Sequence, residues 1–489
     1  MRGKYIFDHK KDTEDIGVAI ELYNQAMRIE PSLVAAKAGL AEALIHKGEF
    51  DRANIELISA AADAHKRGLK SDEATIHMML AKSHEFQSRW DDAEKDAQTA
   101  LGILSELGDL AGEAEVLGVL IQTLLRRAKF SKSLELYDRV LEINHQLDDD
   151  HKAAEALKNM GNTFHRMGKY VQARSLYEEA LEIARKKQNR ALEAACLGNI
   201  GISFFYMSEF DESLRHYEEA LKIDMYLDDQ TGMATRYNNI AIVHLTKGAF
   251  RNARTYFEKA AEAYEKLGEK GSFALASNNV AGVLVTLGEY DEAIKISTAS
   301  LRIAEELDYP MAEVFAHDYL SQALFCQRFT DLALEHAKTA LQKAIDADLP
   351  RNQAFTCSNL GEMYFHLGET KLSREFFDRA LKLGNDLKKK ETQFKASSYL
   401  AFLDIMEGGK DDGIDRLRAI VAQTHLQPDP IYIVLSQRLL GQALLQFGTT
   451  EDDTKNGTRI LKESLDMATR REIAYEVKII QKLLSNVTT

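Results

Sequence analysis

Asparagine stands at Asn159, Asn199, Asn239, Asn279 and Asn359, all in one phase of a 40-residue interval. Asn162, Asn238 and Asn278 lie close by. A carboxamide carries two N–H donors and a carbonyl acceptor, so a row of them can hold the backbone of an extended peptide. Asparagine in a helix interior costs about half a kcal/mol against alanine. A position selected for helix stability alone does not favour it. The competing explanation is that each amide ties one helix to its neighbour and sets the spacing between them.

Other chemistry is sparse. The chain has 14 histidines and 3 cysteines. No HExxH, paired Cys/His spacing or phosphate-binding glycine loop occurs. His77 and His84 can share a helix face, but the spacing supplies them with no carboxylate or third ligand. GEKGS (268–272) falls between repeats, and Cys357 falls at a packing position. No nucleophile–base pair is evident. The expectation is a chain without catalytic residues, cofactor or metal.

The elements that position the asparagines form a repeat. An apolar residue recurs at Leu40, Leu80, Leu120, Met160, Ile200, Ile240, Val280, Leu320, Leu360, Leu400 and Leu440. The next position is mostly small: Ala41, Ala81, Gly161, Gly201, Ala241, Ala281, Ser321, Gly361, Ala401 and Gly441, with Ile121 the exception. Further small residues recur from Ala53 to Ser373 and from Ala60 to Ala380, and Tyr137, Tyr177, Tyr217, Phe257 and Phe377 supply bulk. Small residues let two helix axes approach while a large side chain fills the groove opposite. Turns such as KGEFD, MGKYV and LGEYD place glycine where the first helix of each pair ends. Asp51, Asp91, Ser131, Asp211 and Asp291 follow and are expected to cap the second helix. Pro310, Pro350 and Pro430 share one phase, between repeats.

This pattern, a small residue, then Gly-x-aromatic-x₂-Ala-x₃-aromatic-x₂-Ala, resembles the tetratricopeptide repeat over almost the whole chain. The 40-residue variant, longer than the usual 34-residue form, looks like Pins-type adaptors and bacterial regulatory arrays. The resemblance implies an all-α, right-handed α-solenoid of about 12 helix pairs with a C-terminal capping helix. The added length would extend the second helix or the loop behind it. The expected divisions are 1–33, a 34-residue-type repeat that starts abruptly, with its first helix in 1–12; 34–470, eleven 40-residue repeats, the last with the polar insertion TTEDDTKN (449–456) before the helix resumes around Arg459; and 471–489, the cap, with Ile473, Val477, Ile480 and Leu484 on one face.

In such a stack the asparagines align along the concave side, with Asn162 and Arg166, or Ile202 and Tyr206, on the same face. The expected peptide-binding set is Asn159, Asn162, Arg166, Asn199, Tyr206, Asn238, Asn239, Asn278, Asn279 and Asn359, and Arg126 adds positive charge. Gly39, Met79 and Val119 replace asparagine in the earlier repeats, and Tyr319 and Tyr399 interrupt or end the row. The rail is therefore confined to about 159–360.

The formal net charge is −14, and basic runs are short. That disfavours nucleic acid, which needs clustered Lys and Arg. No apolar stretch has membrane-spanning length, the N-terminus lacks a signal-peptide core, and the cysteines suit a reducing compartment. The expectation is a cytoplasmic scaffold for a protein or peptide partner, with self-association through its ends also open. The rival reading is a sensory array of a larger bacterial signalling protein that switches an attached or partner effector.

Overall fold

The computed structural model describes residues 13–423 and 429–486. The expected helix in residues 1–12 lies outside them. Among the described residues there are 24 helices and no strands, and the fold is an all-α solenoid. The contacts divide the chain into two units, residues 1–203 and 204–489.

Helix starts keep the 40-residue frame closely. First helices begin at 70, 110, 150, 190, 230, 270, 310, 350, 390 and 430, and second helices at 50, 90, 130, 170, 210, 250, 290, 330, 370 and 410. From Phe50 to Met406 both helices of every pair have 17 or 18 residues. The added length is therefore not in a loop and does not fall on the second helix alone. A residue with positive φ falls once per half repeat, from Gly48, Gly68, Ser88 and Gly108 to Lys388 and Gly408. At Gly168, φ 75°, the amide of Lys169 donates to Phe164 at 2.9 Å and that of Gly168 to His165 at 2.9 Å. This left-handed turn closes the helix and reverses the chain.

The recurring small and apolar positions form the core. Leu40, Leu80, Leu120, Ile200, Ile240, Val280, Leu320, Leu360, Leu400 and Leu440 are buried, as are Ala53, Ala93, Ala173, Ala253, Ala293 and Ala333. Gly161 lies against the ring of Tyr177, and a Cβ there would stand 2.6 Å from Tyr177 Cε1. Gly361 packs on Phe377 in the same way, its Cβ reaching 2.9 Å from the ring.

The aspartates do not cap. In these repeats the second helix starts at the aromatic, so the cap residues are Glu49, Arg89, Lys129, Glu209 and Glu289, without side-chain cap bonds. Asp51 instead accepts from Gln87 at 2.7 Å, and Asp291 from Gln327 at 2.6 Å. Asp91 pairs with Arg127 at 2.8 Å, and Asp211 with Lys247 at 2.5 Å. Each bond joins one repeat to the next. Pro310, Pro350 and Pro430 begin first helices, where the missing N–H costs no bond.

Near the C-terminus the helix Glu451–Arg470 starts inside the predicted insertion. Thr450 and Asp453 form a reciprocal capping box, so TTEDDTKN supplies the cap and first turns of a helix. The last helix, Ala474–Ser485, does more than cover an open end. Ile473 and Ile480 share a hydrophobic cluster with Phe250, Val280, Leu284 and Tyr290, which lie several repeats earlier in the chain. Arg251 Nε donates to both carboxylate oxygens of Glu472 at 2.8 Å, and Arg471 donates to the Lys247 carbonyl at 2.9 Å. The second unit closes on itself.

Candidate functional site

In the first unit the asparagines bond one another. Asn162 Oδ1 accepts from the Tyr177 hydroxyl at 2.8 Å and from Asn199 Nδ2 at 3.1 Å. This chain joins two repeats and fixes the ring that packs on Gly161. Arg166 donates to the Leu125 carbonyl at 3.3 Å and lies over the Phe130 ring at 5.2 Å. Asn159 is half-buried and lines a groove with Gln122 and Asn144. Arg126 is exposed at the end of Leu110–Arg126.

In the second unit Tyr206 is exposed, with its ring edge-on to Phe205. Asn278 is buried and donates to the Ala312 carbonyl at 2.9 Å. Asn279 donates to Asn238 at 3.4 Å, and Asn239 is half-buried. Asn279 and Asn359 meet in one cavity of about 270 Å3. Its walls are mainly apolar and aromatic, including Val283, Phe325, Phe355 and Leu435, and the C-terminal helices close it with Ile473, Tyr475 and Glu476. Tyr319, in the asparagine register, is also in the wall.

A buried charge network forms one side of this cavity, and it is invisible in the asparagine pattern. Lys395 Nζ reaches Glu362 at 2.7 Å and Asn359 Oδ1 at 3.2 Å. The Tyr399 hydroxyl donates to Glu362 at 2.7 Å and accepts from Arg438 at 3.0 Å. Arg438 is fully buried and donates to Glu476 at 2.6 Å. Burial alone would raise the Glu362 carboxyl, but Lys395 and His366 outweigh it and hold it well below the usual carboxylate range. Burial opposes charge on Arg438 too, and Glu476 outweighs it. One sequence signal was available. Arg438 and Asp318 stand two positions before the packing residues Leu440 and Leu320, where Asn238, Asn278, Ser358 and Ser398 stand elsewhere. From 238 to 438 that position otherwise holds amides or hydroxyls, and a charge there marks a buried polar contact.

His77 and His84 do share a carboxylate, contrary to the sequence reading. Asp96, on the following helix, meets His77 Nδ1 at 2.8 Å and His84 Nδ1 at 3.1 Å. Among the described residues no group of three or more such side chains could hold a metal ion. Burial pushes the Cys196 and Cys326 thiols up to about 11 and Cys357 to about 12. No described helix is long and apolar enough to cross a membrane.

Models of the tetratricopeptide repeat match residues 12–82, 112–186, 152–225, 190–266, 238–305 and 356–385. The chain belongs to the tetratricopeptide repeat family. Among solved structures, this tetratricopeptide repeat array is similar to the apo form of RapI: 14% identity, TM-score 0.54, covering 73% of this chain and 99% of that one. That likeness supports the solenoid fold. A Rap protein complexed with competence and sporulation factor is 15% identical, with TM-score 0.49 over 77% of this chain and 98% of that one. BtubC (BKLC) from P. vanneervenii is 20% identical, with TM-score 0.39 over 45% of this chain and 92% of that one. No curated protein matches the chain in sequence. Repeats of this family make the chain a protein-interaction scaffold.

Proposed function

We propose that this scaffold binds a short extended segment of a partner protein in the cavity of the second unit and carries out no catalysis. The observation that carries the reading is the meeting of Asn279 and Asn359 in one largely apolar cavity. Two amides from the same register, two repeats apart, can hold a peptide backbone while the apolar wall takes its side chains. Asn162, Asn199 and Asn278 serve the fold through the bonds described above and leave the proposed contact set. Asn238 accepts from Asn279, and Lys395, held by Glu362, donates to Asn359.

The regulatory reading draws on one further feature. The cavity wall is completed by Ile473, Tyr475 and Glu476, beside the Arg251–Glu472 bond. An occupant that favours the closed wall would tighten that junction, which is how binding in this unit would reach an effector.

The test is a pull-down with the intact chain and with Asn279→Ala plus Asn359→Ala, both checked for folding by circular dichroism. Loss of specific partners from the folded variant supports the reading. Equal capture by both chains rejects it.

A further inference from the structure

The charges in the wall of the second-unit cavity do not balance. Among the described residues its lining holds three carboxylates, Glu362, Asp429 and Glu476, and one cation, Lys395. Two of the three are neutralised within the fold. Lys395 holds Glu362 at 2.7 Å, and Arg438 holds Glu476 at 2.6 Å. Asp429 is left. Its Oδ1 accepts from the Ile431 amide at 2.9 Å, as the cap of the helix Pro430–Phe447. Among the described residues no cation pairs with it. Burial, and behind it the like charge of Glu391, raises this carboxyl to about 7.

Aromatic rings share the wall with Asp429. Tyr319, Phe355, Tyr432 and Tyr475 all line the cavity, and each is only half-buried, so part of each side chain is open to an occupant. Phe355 meets Tyr319 edge to face, with ring centroids 6.3 Å apart. Tyr432 follows Asp429 by three residues and so lies on the same side of the helix. Burial raises its hydroxyl, and the charges of Asp429 and Glu391 raise it further. This corner of the cavity is therefore negative.

An unpaired carboxylate among aromatic rings suits one kind of group. The carboxylate attracts a positive nitrogen, and the ring faces attract the hydrogens or carbons bound to it. We propose that this corner binds an organic ammonium group, with the attached carbon skeleton against the apolar wall at Val283, Phe325 and Leu435. The site is the cavity of the preceding reading, on which this assignment rests, and the ammonium is the chemistry it adds. A free amine and a lysine side chain of the partner segment present the same group. The cavity, at about 270 Å3, is at the small end for ligand pockets and has room for a simple arylalkylamine.

The test uses three probes that differ at one end: phenethylamine, 2-phenylethanol and phenylacetate. Each is titrated into the full chain by calorimetry at about pH 8, where Asp429 is ionised. Phenethylamine should bind roughly tenfold or more tightly than the alcohol, and phenylacetate should bind least. Asp429→Asn keeps an acceptor for the Ile431 amide, so its melting temperature should hold, and the preference for the amine should vanish. A pair of capped peptides, one with lysine and one with norleucine at the same place, separates the two sources. Preference for the lysine peptide assigns the ammonium to the partner segment, and preference for phenethylamine alone assigns it to a free amine. The proposal is overturned if neither ammonium probe is preferred to its neutral counterpart, a comparison made on the parent chain that needs no variant to fold. It is also overturned if folded Asp429→Asn keeps the preference. Equal capture in the Asn279/Asn359 pull-down would reject the backbone grip and leave the ammonium result standing, so the two readings fail separately.

Discussion

The ring of Tyr177 rests on Gly161, where a single added Cβ would come within 2.6 Å of it. Gly161→Ala therefore gains helix propensity, about 1 kcal/mol, but must displace a buried ring, at about 1–3 kcal/mol. The expected result is a net loss of up to about 2 kcal/mol and a lower melting temperature. Gly118→Ala is the matched comparison. Its Cβ meets nothing within 4 Å, so it should stabilise by about 0.5–1 kcal/mol. Urea or thermal unfolding of the two variants should move in opposite directions.

The same tyrosine ends in a hydrogen bond. Its hydroxyl donates to Asn162, which also accepts from Asn199. Asn162→Ala should cost about 1 kcal/mol. Tyr177→Phe should then cost markedly less in that background than in the parent chain. A double-mutant cycle measures the coupling, and additive effects would show that the bond contributes nothing.

Arg438 and Glu476 form a buried ion pair between the helices Pro430–Phe447 and Ala474–Ser485. Glu476→Ala leaves a guanidinium with no exposed surface and should cost about 3–5 kcal/mol. Hydrogen exchange should rise first in Ala474–Ser485. Replacing both partners, as Arg438→Met plus Glu476→Leu, should recover much of the loss. Slower exchange in that helix on Glu476→Ala would contradict the prediction.

Asp318 introduces a pH dependence. Burial raises its carboxyl to about 7, against the opposing bond from the Thr356 hydroxyl at 2.7 Å. An acid whose folded pKa lies above its unfolded value of 3.8 stabilises the fold while both states are protonated. That contribution is complete below about pH 4 and is lost as pH rises through about 7. Asp318→Asn should flatten the fall in melting temperature across that window, with the largest gain over the parent above about pH 7. An unchanged pH profile would rule out Asp318 as its source.

The repeat was legible because it is built from short-range rules applied afresh in every repeat. Leu80, Ile200 and Leu360 are buried where the pattern puts them, and Gly161 faces its aromatic, because helix periodicity and side-chain volume are local properties. The misreadings have local causes too. Asp51 looked like a cap because the turn chemistry permits one, but the helix had already begun at Phe50. Asp96 could not be assigned to His77 and His84 from spacing, because the partner sits on the next helix.

What the chain determined by itself is therefore the family, the helix pairs and the row of asparagines. Only the tertiary structure decided their uses. Asn162 is spent on Tyr177 and Asn199, while Asn279 and Asn359 share a cavity because the C-terminal helices return to Lys270–Leu287. The pairing of Arg438 with Glu476 and the open space at Gly118 belong to the same class. The cavity depends on surfaces that meet across long stretches of sequence, and a one-dimensional period carries no information about where a solenoid closes; the other uses depend on which side chain the neighbouring helix presents.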